Sequence, residues 1–242
     1  MKLECAYGDV MLTELWSVTD IVRPIAPKTV NTESPTGSDG VVLMGVQYGS
    51  YEISLTVWAH VPYMEQAPEI AHIAHVFDAR KPQQLWFSDE LDRYRMAIPQ
   101  GSPEVTRYID AVSVKVSLLV PEPAMYGHHA SVTVPSGSSV EVKVGGTYPT
   151  QPKIVAGSAV RSPSSLVWGV RLDQGDVLKV PLAFSTARRI EIDCKERECR
   201  IANAPALPTL DSDWFNLTPG LHTLTNHQGS GACTIEWDER WL

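Results

Sequence analysis

The amino-acid sequence predicts a mainly β protein of two domains, with one helix in the first domain. Runs of alternating apolar and polar residues, such as Tyr51–Ala59 and Val112–Val120, are typical of strands with one buried face. Only residues Pro68–Ala79 repeat apolar side chains at helical spacing. The 242 residues suffice for two domains, and 43% hydrophobic with 20% charged residues predict packed cores rather than global disorder.

The first predicted strands lie before residue 60. An apolar stretch from Val10 to Val22 predicts an early strand pair. Pro24 and Pro27 end this pair, because proline lacks the amide hydrogen that a central strand donates. Every second side chain of Tyr51–Val57 is apolar, so this strand is predicted to bury one face.

Residues Lys28 to Gly40 lack apolar periodicity and are rich in Thr, Ser, Asn, Pro and Gly. They are therefore predicted to form an exposed, mobile loop. A polar segment of thirteen residues inside a compact domain is more often functional or disordered than filler. We expect a neighbouring protein to order this loop, and a surface loop that contacts nothing is the alternative.

The predicted helix begins at Pro68, which suits a first helical position, and ends before Lys81-Pro82. A short strand is predicted at Leu85–Phe87. A turn that begins at Asp89 then leads into a strand at Tyr94–Ile98.

The strand Val112–Val120 ends at Pro121-Glu122-Pro123, where two prolines exclude a continuing central strand. We place the domain boundary there, with domains at residues 1–121 and 122–242. After this boundary the chain has little helical periodicity, and many short strands at this spacing predict a β-sandwich. The predicted strands are Ala130–Val134, Val140–Val144, Lys153–Ala156, Leu166–Leu172, Val177–Pro181, Arg189–Asp193, Cys199–Ala202, His222–Thr225 and Cys233–Trp237.

Charge and hydropathy exclude several classes of protein. The net charge of −8 argues against a nonspecific nucleic-acid binder, which needs a basic face. No apolar run approaches the ~20 residues of a membrane span. Glu4 stands where a signal peptide would have its apolar region, so we expect synthesis and folding in a cytoplasm.

The four cysteines are predicted to be free thiols in a reducing compartment. Cys194 and Cys199 fit a four-residue hairpin loop with the thiols facing across it, and a late disulfide in an exported particle is the alternative. A zinc site would need two more ligands at matching spacing, and none is evident.

No catalytic, cofactor or metal site is predicted. The sequence has no glycine-rich phosphate loop and no Gly-x-Ser-x-Gly elbow, and nothing marks an acid/base pair. The pairs His72/His75 and His128/His129 lack further ligands and are interpreted as solvated or core-edge histidines. Four tryptophans lie in strand-like runs, where an aromatic ring is usually core or interface rather than a sugar platform. They are Trp168, Trp214, Trp237 and Trp241.

The end of the chain, with Phe-x-Leu-x-Pro-Gly-x-x-x-Leu at Phe215–Leu224 and a tryptophan-rich close, resembles the C-terminus of siphophage distal tail proteins (Dit). Trp237 and Trp241 are predicted to share the face of this last strand that packs into the sandwich. Four further segments are similar to the family in order and spacing, while Lys28–Gly40 does not align with it. The similar segments are Leu85–Tyr94, Glu122–Gly127, Gly146–Ile154 and Ile190–Asp193.

The resemblance implies an N-terminal ring-forming β domain with one helix, followed by a galectin-like β-sandwich, in a compact form without an inserted carbohydrate-binding module. It implies a homo-hexameric ring that joins the tail tube to the baseplate, with a central channel through which DNA passes without specific binding. The implied partners are the major tail tube protein, a tail-associated or tail-fibre protein and the tape measure protein, with no membrane. The protein would be structural, not an enzyme, assembled in the host cytoplasm and located at the tail tip of the virion.

The predicted loop supplies the candidate subunit-interface residues Lys28, Asn31, Thr36 and Asp39. Two other functions remain open at this point: a carbohydrate-binding module that recognises a host cell-wall saccharide, and a cytoplasmic enzyme of β-sandwich fold. A ring-forming protein would elute far above its monomer mass in size exclusion, whereas a binding module would elute as a monomer.

Overall fold

The computed structural model of the chain describes residues 3–37, 39–159, 166–182 and 187–242. The chain divides into two compact units, Met1–Tyr126 with Leu242, and Gly127–Trp241. The predicted boundary after residue 121 lies a few residues before this division.

The described part of the first unit contains nine strands and two α-helices, and its strand pairs are antiparallel. In chain order they are β1 (Cys5–Tyr7), β2 (Val10–Met11), α1 (Leu12–Leu15), β3 (Ser17–Val22), β4 (Lys28–Glu33), β5 (Val42–Tyr48), β6 (Tyr51–Ala59), α2 (Gln66–Val76), β7 (Gln83–Phe87), β8 (Tyr94–Arg107) and β9 (Val112–Val120).

The long strand β8 belongs to two groups of strands. Its first residues pair with β7, with Trp86 opposite Tyr94, and β7 continues to β1 and β2. From Ile98 onward β8 pairs with β9, which continues to β6 and β3. One hydrophobic core includes side chains from both groups, among them Leu55, Phe87 and Val116. The alternation of apolar and polar residues that predicted β6 and β9 therefore reflects the burial of the apolar side chains in this core.

Helix α2 packs on this core through Ile73, which is 1% exposed. The helix begins at Gln66 rather than at the predicted Pro68. The buried Gln66 side chain explains this start, because its Nε2 donates to the carbonyl oxygens of Tyr108 (2.7 Å) and Ala111 (3.0 Å). Pro68 is tolerated because amides of the first turn have no partner within the helix.

The chain before residue 23 differs from the predicted strand pair. A single helical turn, α1, separates the short strand β2 from β3. Leu12 in this turn is fully buried, so the apolar character of the segment reflects core packing rather than a continuous strand.

The second unit contains ten strands in its described part, arranged in two sheets. In chain order they are β10 (Met125–Val134, which begins two residues before the division), β11 (Ser139–Val144), β12 (Lys153–Ala159), β13 (Val167–Leu172), β14 (Val177–Pro181), β15 (Arg188–Asp193), β16 (Glu198–Ile201), β17 (Ala204–Ala206), β18 (Gly220–Gln228) and β19 (Cys233–Trp241).

One sheet of the second unit has the order β11-β18-β13-β14, and the other runs β10-β19-β12-β15-β16-β17. Buried residues of both sheets form one core, with Val142 and Trp168 from the first sheet and Ile154, Ile190 and Ile235 from the second. This packing of two sheets over a shared core is the predicted sandwich.

The β15–β16 hairpin corrects the predicted placement of two thiols. Asp193 lies opposite Glu198 and Ile192 lies opposite Cys199, so Cys194 sits in the connecting turn and does not face Cys199 across the ladder. Both cysteines are buried and free.

Trp237 is buried in the sandwich core as predicted, but Trp241 is half-buried. Burial alternates along β19 as far as Trp237, and both Asp238 and Glu239 are then half-buried. Because two consecutive half-buried residues interrupt the alternation, the next buried residue of the strand is Arg240 rather than Trp241. The even spacing of the two tryptophans therefore does not place both in the core.

Candidate assembly surface

Strands β4 and β5 form a separate two-stranded ribbon within the described part of the first unit. Every residue of β4 is exposed, and so is every residue of β5 except the half-buried Gly45. This exposure is unusual, because strands normally bury at least one face.

The ribbon has one apolar and one polar face. Residues opposite each other in an antiparallel pair point to the same side. The register therefore places Lys28 with Tyr48, Val30 with Val46, and Thr32 with Leu43 on one side, which we call the apolar ribbon face. The polar ribbon face carries Thr29 with Gln47, Asn31 with Gly45, and Glu33 with Val42. A register shift at Met44 keeps Leu43 on the apolar side.

The ribbon corrects the prediction of a loop over residues 28–40. Lys28 and Asn31 lie in β4 on opposite faces of the ribbon, while Thr36 and Asp39 lie in the connection to β5. The four candidate residues therefore do not share one surface. The Lys28 ammonium lies 6.0 Å from the centre of the Tyr48 ring, within reach of a cation–π contact.

An apolar groove of about 660 Å³ lies between α2 and the outer half of β8, with β9 at its floor. We call it the α2–β8 groove. Ala74 and Phe77 line it on the helix side, Pro103 and Val105 on the β8 side, and Val114 on the floor. Residues 101–107 of β8 are all exposed, so this wall is accessible.

A turn before β8 is held by ion pairs. Arg23 donates from Nη1 and Nη2 to the Asp89 carboxylate at 2.8 and 2.5 Å, and its Nη1 lies 3.0 Å from Glu90 Oε1. Arg95, which is 6% exposed, donates to both Glu90 oxygens and from Nε to Tyr51 Oη at 2.9 Å. The hydrogen bond from Arg23 lowers the pKa of Asp89.

Leu91 projects from this turn in a strained conformation. Its φ of 54° and ψ of −133° lie in a region that glycine accepts and that costs other residues of order 1–3 kcal/mol. Trp86 donates from Nε1 to the Leu91 carbonyl at 2.9 Å, and the leucine is 73% exposed. The ion pairs and the indole therefore fix an apolar side chain in water.

The other predicted residues behave as structural groups. His72 meets the Trp16 ring edge-on with the centroids 5.1 Å apart, and His129 Nδ1 lies 2.8 Å from Asp238 Oδ1. Within the residues that the structure describes, no group of three or more His, Cys, Asp or Glu could hold a metal ion. No helix of the described chain is long and apolar enough to cross a membrane.

The four tryptophans considered for sugar stacking do not form an open platform. Trp168 and Trp237 are buried in the sandwich core, and Trp214 packs against that core. Trp241 packs on Gly127, where a β-carbon would lie 2.8 Å from the indole nitrogen. These rings therefore contribute to packing.

The four thiols are also core groups. Cys5, Cys194, Cys199 and Cys233 are at most 4% exposed. Burial raises the pKa of Cys199 to about 11 and those of the other three to about 12. Since the thiolate is the reactive form, burial and these pKa values keep all four thiols unreactive.

Two family models match the chain in tandem. Residues 11–120 match the phage tail protein RIFT-related domain, and residues 145–241 match the siphovirus-type tail component, C-terminal domain. The chain belongs to the siphophage distal tail protein family. This Dit-family chain is thus a structural component of a phage tail. No curated protein matches it in sequence.

Solved structures agree with this membership at the level of fold. The crystal structure of SPP1 Dit is similar with a TM-score of 0.80 and 20% identity, over 99% of both chains. That protein is described as a paradigm of the hub adsorption apparatus in phages that infect Gram-positive bacteria. Chains of the phage p2 baseplate in its activated conformation, with Ca and with Sr, give TM-scores of 0.56 and 0.55 at 10% and 11% identity. They are matched over 98% and 97% of both chains, respectively.

Proposed function

We propose that this Dit-family chain forms a homo-hexameric ring at the distal end of a phage tail, where it joins the tail tube to the baseplate. The observation that carries the proposal is the tandem family match, with a RIFT-related tail domain at residues 11–120 and a tail component domain at 145–241. The likeness to the SPP1 hub protein over 99% of both chains supports the same role.

The proposed partners are the major tail tube protein on one side and a tail-associated or tail-fibre protein on the other, with the tape measure protein in contact with the ring. DNA passes through the central channel. The net charge of −8 suits such a channel, because an acidic surface does not retain nucleic acid. Assembly takes place in the host cytoplasm, and the ring becomes part of the virion.

The proposed role is mechanical and not enzymatic. In the described chain, hydrogen bonds lower the pKa values of three carboxylates: Asp89 accepts from Arg23, Asp173 from the Thr223 backbone amide and then from His222, and Asp211 from Lys179, so these shifts reflect structural contacts. The proposed domains, residues 1–121 and 122–242, divide the work, with ring formation assigned to the first.

Electron microscopy and native mass spectrometry of the purified full chain test the proposal. We expect rings with sixfold symmetry and a mass six times the 26.6 kDa of the monomer. A protein that stays monomeric at high micromolar concentration and binds a cell-wall saccharide would instead support a carbohydrate-binding module.

A further inference from the structure

We propose that the apolar ribbon face of one protomer docks into the α2–β8 groove of the neighbouring protomer. The inference rests on the proposed function, because it requires a second copy of the chain beside the first. It goes further by naming the two surfaces that meet.

The ribbon is an uncovered surface. On its apolar face Val30 is 52% exposed, Leu43 61% and Val46 43%, and the Tyr48 ring lies beside them. A two-stranded ribbon alone is marginally stable in water, and contiguous exposed apolar side chains mark sites of protein contact. The opposite face carries Thr29, Gln47, Asn31 and Glu33 beside Val42, so it is the more polar of the two and the less suited to burial.

The groove matches this face in chemistry. Its lining is largely Ala, Ile, Val, Phe and Pro. Among the described residues that line the groove, Asp78 is the one carboxylate, His75 is the one histidine, and there is no Lys or Arg. Lys28 is the one charged residue on the apolar ribbon face. Docking therefore buries apolar side chains against apolar walls, and the one cation of the ribbon face is opposite in sign to the one carboxylate of the groove.

The dimensions also match. The six residues of β4 extend about 20 Å at the rise of a strand. The eleven residues of α2 extend about 16 Å. The lining residues of β8, which form the other wall, lie between Pro99 and Val105, and a bulge between Gln100 and Glu104 interrupts the regular strand there. Strand β4 is therefore long enough to lie along the helix wall of the groove.

The pairing of a ribbon with a groove, rather than with another ribbon, follows from symmetry. Two ribbons that meet face to face form an isologous contact, which stops at a dimer. A ribbon in a groove is a heterologous contact that uses each surface once per protomer, and such contacts repeat until a ring closes. The second arrangement is the one that a hexamer needs.

A matched pair of substitutions on the ribbon tests the first half of the inference. Leu43→Asp puts a charge on the apolar face, and Val42→Asp puts the same charge on the polar face of the same strand, at 50% exposure. We expect Leu43→Asp to raise the concentration at the midpoint of assembly about 10- to 100-fold, the range for loss of one buried leucine contact. Val42→Asp should assemble like the wild type, and thermal melts of both monomers check folding.

Chemical cross-linking tests the second half. Two variants of the full chain are purified separately, one with Leu43→Cys and the other with Ala74→Cys. They are mixed and treated with a short bismaleimide, which joins two nearby thiols. The native thiols are buried, so the introduced thiols react. We expect cross-linked dimers between the two preparations. Replacing Ala74→Cys by Leu210→Cys, at a fully exposed residue of the second unit, controls for random collisions.

The outcomes separate this inference from the proposed ring. A wild-type protein that never assembles overturns the ring and the docking together. A hexamer that forms equally well with Leu43→Asp and Val42→Asp overturns the docking alone. In the third outcome, Leu43→Asp disrupts the hexamer, but Leu43→Cys does not cross-link to Ala74→Cys. The ribbon would then contact a neighbour at another surface, and this result overturns the assignment of the groove.

Discussion

Leu91 is held in a conformation that glycine tolerates better than any residue with a β-carbon. Two ion pairs and the Trp86 indole fix the turn around it, so the surrounding contacts outweigh the local strain. The strained turn therefore presents to solvent an apolar side chain that is 73% exposed.

A pair of substitutions at this residue measures the strain. We expect Leu91→Gly to raise the free energy of unfolding by about 1 kcal/mol, because relief of strain exceeds the entropy cost of glycine. Leu91→Ala keeps the β-carbon and should give no gain. Urea denaturation of both variants gives the comparison, and a glycine variant less stable than the alanine variant would contradict the strained conformation.

The four buried thiols give a second test at the scale of single residues. Because burial raises their pKa to about 11 or 12, the thiolate is scarce at pH 8 and a disulfide reagent cannot reach it. We expect no thiol to react in the native protein and four to react after unfolding in guanidinium. Rapid labelling of even one native thiol would show that its surroundings open.

At the scale of elements, strand β19 predicts different costs for its two tryptophans. Trp237 is 6% exposed in the sandwich core, so Trp237→Ala should lower the free energy of unfolding by about 3–5 kcal/mol. Trp241→Ala should cost clearly less, because this ring is already half in water. Equal melting temperatures for the two variants would contradict this interruption of the alternation along the strand.

The turn before β8 predicts a pH dependence. Arg23 lowers the pKa of Asp89, so the carboxylate stabilises the folded protein above its unfolded pKa of about 3.9. This contribution is lost as pH falls through the lower folded pKa. We expect Asp89→Asn to be less stable than the wild type at pH 7, and the difference in the free energy of unfolding to close as the pH falls below about 4. Asp92→Asn, in the same turn, controls for the loss of one carboxylate, and a difference that persists at low pH would exclude the ion pair as its source.

The elements that the sequence predicted are those whose pattern reflects burial. Strands β6 and β9 alternate because one face of each lies in the core, and Ile73 and Phe77 of the helical segment are buried there. The sequence did not predict the ribbon because alternation marks a buried face, and β4 and β5 are not covered by the residues that the structure describes. The pair of Val30 and Val46 on one face of the ribbon could have indicated an apolar face, but the two residues are known to be opposite each other only once the register of the strands is known.

At the scale of the whole molecule, the resemblance to Dit came from ordered motifs, while composition and charge only excluded other classes. The α2–β8 groove could not be predicted. Its walls are separated by some thirty residues of sequence, and they meet because β8 pairs with β9 beneath α2. Such a surface follows from tertiary packing and leaves no local pattern.

The proposal that the first unit forms the ring predicts the behaviour of a fragment. We expect residues 1–126 alone to assemble into the same oligomer as the full chain, because the ribbon and the groove both lie within them. Light scattering after size exclusion measures the mass. A monomeric fragment, together with an oligomer formed by residues 127–242, would show that the second unit forms the ring.

The continuity of β8 has a mechanical consequence. One strand is bonded to β7 along its first residues and to β9 on both sides of a bulge between Gln100 and Glu104, so neither partner can separate without fraying a strand that the other requires. The first unit should therefore resist a pulling force as one body and yield in a single step, rather than peel strand by strand. A subunit that stays whole in this way is suited to the joining role that we propose for the ring.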